Sequence, residues 1–124
     1  MTASPARIHE VIKRYVALVA HGTADEVVDL YAEGATVEDP VGTEVRTTRE
    51  AIREFYSGLE ELEQEGHIVT ARVAGGQAAF LFELATKAGD QTYTLAPIDV
   101  MTFDDDAKIT SMKAYWGDSD MTVS

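Results

Sequence analysis

The sequence predicts a single α+β domain, with helices packed on one face of an antiparallel sheet. Three observations predict it. Apolar residues recur at spacings of three and four through the first third of the chain. The second half switches to period-two alternation, rich in Val, Ile, Phe, Tyr and Thr. No linker, repeat or low-complexity run divides the 124 residues, so residues 1–124 read as one domain. Helices first and a meander afterwards is an α+β order.

The elements follow in turn. Ser4-Pro5 is a helix start, with Ser as cap and Pro at the first helical position. Ile8, Val11, Ile12, Tyr15, Leu18 and Val19 then share one face, and His21-Gly22 ends the run. Thr23 and Glu26 form a capping box, which predicts a short second helix through Val27, Val28, Leu30 and Tyr31. Thr47 and Glu50 repeat that signature before a third helix over Ala51–Tyr56. The charged stretch 60–66 reads as a solvated helix end leading to a loop. Strands are predicted over 67–74, 77–88, 91–103 and 107–117. Gly75-Gly76 and Gly89-Asp90 have the composition of hairpin turns, and Asp104-Asp105-Asp106 that of a solvated turn. Pro97, inside the third strand, predicts a bulge or an edge there.

Side-chain parity places Tyr93, Leu95, Asp99, Met101 and Phe103 on one face of that third strand, and Ala96, Ile98 and Val100 on the other. Phe80, Phe82 and Leu84 oppose Leu81 and Ala85 in the same way. Both faces of the sheet are therefore apolar, while three helices can cover only one. The second face is expected to meet another subunit, which predicts a homodimer.

Composition narrows the function classes. The formal net charge is −12, which opposes phosphate-tracking nucleic-acid binding and a polybasic membrane contact. There is no cysteine, so disulfides, thiolate catalysis and Cys-ligated zinc are excluded. No run approaches the length of a membrane helix and no leader is seen, so the expected location is the cytoplasm. His9, His21 and His67 are scattered and show no metal-ligand spacing. A Gly-x-Ser-x-Gly elbow and a phosphate-cradling glycine loop are both absent.

Carboxylates and tyrosines in unusual surroundings remain. Asp99 stands between Ile98 and Val100, on the face of Met101 and Phe103. It is either a strand aspartate satisfied by backbone amides at a bulge, or a desolvated acid whose raised pKa keeps it protonated and able to donate. Asp39 shares parity with Val37 and precedes Pro40; Asp-Pro is also an ordinary turn start. Tyr15 lies in the middle of the inward stripe of the first helix, where a core tyrosine with any polar partner is the simpler reading.

Taken together, these residues sit in a longer pattern. Arg14–Val19, Tyr31–Gly42 with its Val37-Glu38-Asp39-Pro40, Ala51–Tyr56, Ala96–Met101 with its Pro97-Ile98-Asp99, and Met112–Trp116 occur in one order across almost the whole chain. In this the sequence resembles the bacterial ketosteroid isomerases. The resemblance implies a cystatin-like cone: three helices on a curved, mixed or antiparallel sheet around a deep apolar pocket. It implies isomerisation of 3-oxo-Δ5-steroids to 3-oxo-Δ4-steroids without a cofactor or a metal. By the family's known division of labour, Asp39 matches the general base, Tyr15 the oxyanion-hole tyrosine and Asp99 its protonated partner. Tyr31 and Tyr56 match tyrosines bonded to the oxyanion tyrosine. Phe55, Phe82, Met101, Met112 and Trp116 match or resemble pocket-lining positions, where core packing is an equal reading. The resemblance also implies a cis Asp39-Pro40 bond. Two other readings share the fold: a cyclase or dehydratase acting on another enolisable polycyclic ketone, and a non-catalytic ligand-binding cone.

Overall fold

Ser4 caps the first helix, α1 (Pro5–His21). Its hydroxyl accepts the Arg7 amide at 3.2 Å, and Pro5 takes a position where its missing N–H leaves nothing unpaired. This computed structural model describes residues 2–124. Ile8, Ile12, Tyr15, Val16 and Val19 form the buried stripe of α1. The Thr23 capping box opens α2 (Ala24–Val28): Thr23 Oγ1 accepts the Glu26 amide at 3.2 Å, and Glu26 Oε1 accepts the Thr23 amide at 3.0 Å.

The second helix is shorter than its periodicity predicts. It ends at Val28, and Tyr31 opens a strand, β1 (Tyr31–Glu38). The Leu30 carbonyl accepts the Ile109 amide at 2.9 Å, which draws the chain into the sheet before another helical turn can form. β1 itself was not among the predicted strands. Gly34, at φ +79°, and a shift of register between Tyr31 and Thr36 interrupt its alternation. The third helix, α3 (Arg49–Ser57), is capped by Thr48 rather than Thr47: Thr48 Oγ1 accepts the Ala51 amide at 3.1 Å. Ala51 at that position cannot return the bond, so the box expected from Glu50 does not form.

The remaining strands are β2 (Glu63–Ala74), β3 (Gln77–Ala88), β4 (Gln91–Leu95), β5 (Ile98–Phe103), β6 (Ile109–Tyr115) and β7 (Met121–Val123). β7 follows a single 3₁₀ turn, and neither was predicted. β2 starts inside the stretch expected to be a solvated helix end. Gln64 there is buried and donates to Thr86 Oγ1 at 2.9 Å, and the Glu60 carboxylate accepts the Ala24 amide at 2.6 Å.

The described residues form one seven-stranded mixed sheet in the order β1-β6-β5-β3-β4-β7, with β2 on the other side of β3. β1 runs parallel to β6 and the other pairings are antiparallel. The predicted strand 91–103 is two strands. β5 pairs with Gln77–Leu81 of β3, and β4 pairs with Leu84–Ala88. Ala96-Pro97 lies between them because proline has no N–H to continue the ladder. The Pro97 carbonyl still accepts the Phe82 amide at 3.3 Å, so the sheet bends here without opening. The bend and the three helices enclose the core on the inner face. No described helix is long and apolar enough to cross a membrane.

Candidate active site

Five helices and strands converge on one apolar cavity of about 200 Å³. α1 contributes Tyr15 and Val19, one turn apart. α3 contributes Phe55 and Tyr56, and β3 contributes Phe82 and Leu84. Leu95 and Pro97 lead into Asp99 of β5, each two residues from the next, so the predicted parity survives the break. Leu59, just after α3, and the hydrogen-bonded pair of Asp39 and Trp116 complete the lining.

Asp99 is held between apolar neighbours. Its register partners are Phe80 on β3 and Ala114 on β6. It is 1% exposed, and its Oδ1 has no hydrogen-bond partner. Burial pushes its carboxyl well above the usual carboxylate range, and the nearby Asp39 pushes it the same way. Of the two readings of Asp99, satisfaction by backbone amides is not what Oδ1 displays.

The three tyrosines form a line of hydroxyls. Tyr31 Oη lies 2.6 Å from Tyr56 Oη, which lies 2.8 Å from Tyr15 Oη. All three are buried, and burial raises each phenol well above its ordinary range, so all are neutral donors near pH 7. Asp39 is only partly buried. Its Oδ1 accepts the Trp116 indole N–H at 2.8 Å. Burial pushes its carboxyl up, while the Trp116 hydrogen bond and the Arg46 guanidinium oppose that rise. The Asp39-Pro40 bond is cis. The Val41 amide bonds to the Ala114 carbonyl at 2.8 Å, which fixes the chain against β6 just beyond the carboxylate.

The structure thus brings Tyr15, Asp39, Phe55, Tyr56, Phe82, Asp99 and Trp116 to one cavity. Three expected contact residues are not in its lining. Tyr31 sits behind Tyr56, and its hydroxyl is spent on the Tyr56 hydroxyl. Met101 and Met112 are register partners across β5 and β6, are almost fully buried, and belong to the core further along the sheet. The same parity that puts Asp99 in the cavity carries Met101 one pleat past it. Leu84, Leu95 and Pro97 were not singled out, although their two-residue spacing from Phe82 and Asp99 was a usable signal. Arg46 gave no signal in the sequence, because a loop has no period. Among the described residues no group of acids and histidines could hold a metal ion.

The cone has known counterparts. The SnoaL-like domain profile matches residues 12–112. The chain belongs to the SnoaL-like family. Within the reach of this family, a steroid Delta-isomerase of Nocardioides simplex is 44% identical over 119 residues, covering 96% of this chain and 97% of that protein. The resemblance to ketosteroid isomerases read from the sequence agrees with that relationship. A solved structure, that of the epoxide hydrolase/cyclase-like enzyme SalBIII of pyran ring formation in salinomycin, shares the SnoaL-like cone with a TM-score of 0.87. Its identity is 27%, covering 96% of this chain and 97% of that one.

Proposed function

We propose that this SnoaL-like protein is a cofactor-independent isomerase that converts 3-oxo-Δ5-steroids to 3-oxo-Δ4-steroids. The observation that carries this reading is the pairing of Asp99, buried without a partner for Oδ1, with the Tyr15 hydroxyl in one apolar cavity that also holds Asp39. Two neutral donors facing a carboxylate suit an enolate intermediate. The 44% identity to a steroid Delta-isomerase supports the substrate class.

In this mechanism Asp39 takes a proton from C4 of the steroid. The C4–H electron pair moves into the ring and charge develops on the C3 oxygen as a dienolate. Tyr15 and protonated Asp99 donate hydrogen bonds to that oxygen. Asp39 then delivers the proton to C6, and the double bond stands conjugated to the ketone. The hydroxyl line gives Tyr15 its direction. If Tyr31 donates to Tyr56 and Tyr56 donates to Tyr15, the Tyr15 proton is free to point into the cavity. Tyr31 then acts from behind as a relay member and does not touch the substrate. The Trp116 bond orients Asp39 through Oδ1 and leaves Oδ2 for the proton. Phe55, Phe82 and the aliphatic wall keep water away and hold the flat substrate in place, which strengthens each polar contact.

The test is direct. Purified protein is mixed with a 3-oxo-Δ5-steroid, and the conjugated enone is followed by ultraviolet absorbance. Acceleration over buffer is expected. Asp39→Asn should then lower kcat by roughly 10²–10⁴-fold, because an amide cannot take the proton. No acceleration by the wild-type protein overturns the reading. The likeness to the cyclase-like enzyme supports one competing reading, ring chemistry on another enolisable ketone. That reading gains if the steroid binds in the cavity without turning over.

A further inference from the structure

Arg46 lies outside the cavity lining but is tied to it through its backbone and through its side chain. The chain returns after Asp39 so that Arg46 pairs with Val37. The Val37 amide donates to the Arg46 carbonyl at 3.0 Å, and the Arg46 amide donates to the Val37 carbonyl at 2.8 Å. Val37 is fully buried and precedes Asp39 by two residues, so this pair anchors the base of the loop that carries the carboxylate. The guanidinium carbon of Arg46 lies 4.3 Å from the centroid of the Phe55 ring. Phe55 lines the cavity and packs edge-on against Tyr56, with ring centroids 4.9 Å apart. Nη1 of Arg46 is buried and has no acceptor.

A guanidinium stacks on an aromatic face because its flat, weakly hydrated cation meets the negative face of the ring. Leaving a buried N–H of that cation unpaired has a cost that a simple surface arginine avoids by turning to water. The cation spends its flat face on Phe55, and its charge acts on Asp39. We infer that Arg46 is a positioning residue of the site: it clamps Phe55 against the cavity and presents a fixed positive charge to Asp39. The inference deepens the isomerase reading and rests on Asp39 as the base.

Among the described residues, three charged or titratable groups interact electrostatically with Asp39. Arg46 comes from the returning loop, Asp99 from β5 and the Tyr15 hydroxyl from α1. Trp116 and Phe55 are uncharged. Burial raises both the Asp99 carboxyl and the Tyr15 phenol, which favours their neutral forms, while Arg46 is a cation that lowers the Asp39 carboxyl. A nearby cation favours ionised Asp39, so removing it should make the base harder to ionise.

The test compares wild type with Arg46→Met, Arg46→Gln and Arg46→Lys, in two readouts. One is the pH profile of kcat and kcat/KM on a 3-oxo-Δ5-steroid. The other is the ¹³C titration of the Asp39 carboxyl in the ligand-free protein, assigned with Asp39→Asn. Arg46→Met and Arg46→Gln should move both the acid limb and the Asp39 titration to higher pH. They should also lower plateau kcat on the order of three- to ten-fold, with KM nearly unchanged, as Phe55 loosens. Arg46→Lys should keep the titration near wild type but retain part of the kcat loss, because an ammonium has no flat face. Asp39 titrations that superimpose in wild type and a folded neutral variant overturn the inference. The carboxyl titration gives that answer even if the protein turns over no steroid, so failure of the isomerase reading is distinguishable. Arg46→Gln keeps a polar end and an N–H donor, and it decides the matter if Arg46→Met does not fold.

Discussion

Asp99 sits between a phenyl ring and a methyl group, with no donor for Oδ1. Folding therefore favours its protonated form, and this has a consequence for stability as well as for chemistry. A carboxyl whose pKa is raised by folding contributes fully below its unfolded pKa, about 3.9, and the contribution is lost as pH rises toward the folded value. Asp99→Asn has no such proton to lose. Urea unfolding of both proteins from about pH 4 to about pH 9 should show the variant gaining on wild type as pH rises. Parallel stability curves would show that Asp99 is solvated. Asp99 stood out in the sequence as a carboxyl among apolar neighbours, whereas Asp39 and Tyr15 each fitted an ordinary reading and joined it only through the longer family pattern. Their partners were less legible. Neither the Trp116 bond to Asp39, 77 residues apart, nor the Arg46 stack on Phe55 follows from any local pattern.

At the scale of the elements, local chemistry was readable where it is self-contained. The Ser4 cap, the Thr23 box and the β2–β3 turn at Gly75 and Gly76, both at positive φ, lie where their residues predict. The errors occur where distant parts of the chain compete. α2 stops because β6 claims the Leu30 carbonyl, and strand 91–103 breaks because Pro97 cannot donate. The turn between α1 and α2 shows a tighter constraint. Gly22 is extended, at φ −95°, but a Cβ there would meet the Leu18 carbonyl oxygen at 2.9 Å and Leu18 Cδ2 at 2.8 Å. Its amide also bonds to that carbonyl at 2.7 Å. Gly22→Ala must push the end of α1 aside, just past Val19 at the cavity. A loss of about 1–3 kcal/mol in urea unfolding is expected. An unchanged midpoint would show that the turn yields freely.

For the molecule as a whole, the outer face of the sheet exposes an apolar row. Thr70, Leu81, Ile98 and Tyr115 are register partners in a row across β2, β3, β5 and β6, with Ile98 46% and Tyr115 47% exposed. Val100 lies two residues along from Ile98 on the same face. We propose that a second copy covers this row, giving the homodimer that parity predicted. Each copy carries a formal charge of −12, so association has to overcome mutual repulsion. Sedimentation should report twice 13.5 kDa at micromolar protein, with tighter association as salt screens the charge. A single-copy mass that salt does not change would exclude this assembly.

The row just described has a neighbour that cannot be separated from it. Ile98 and Val100 point outward, and Asp99, between them, points into the cavity. The wall dividing substrate space from the outer surface is here a single layer of backbone. A substitution at Ile98 or Val100, which looks remote from the chemistry, alters the peptide units on which Asp99 is mounted. Whatever rests on that outer surface therefore shares a partition with the cavity.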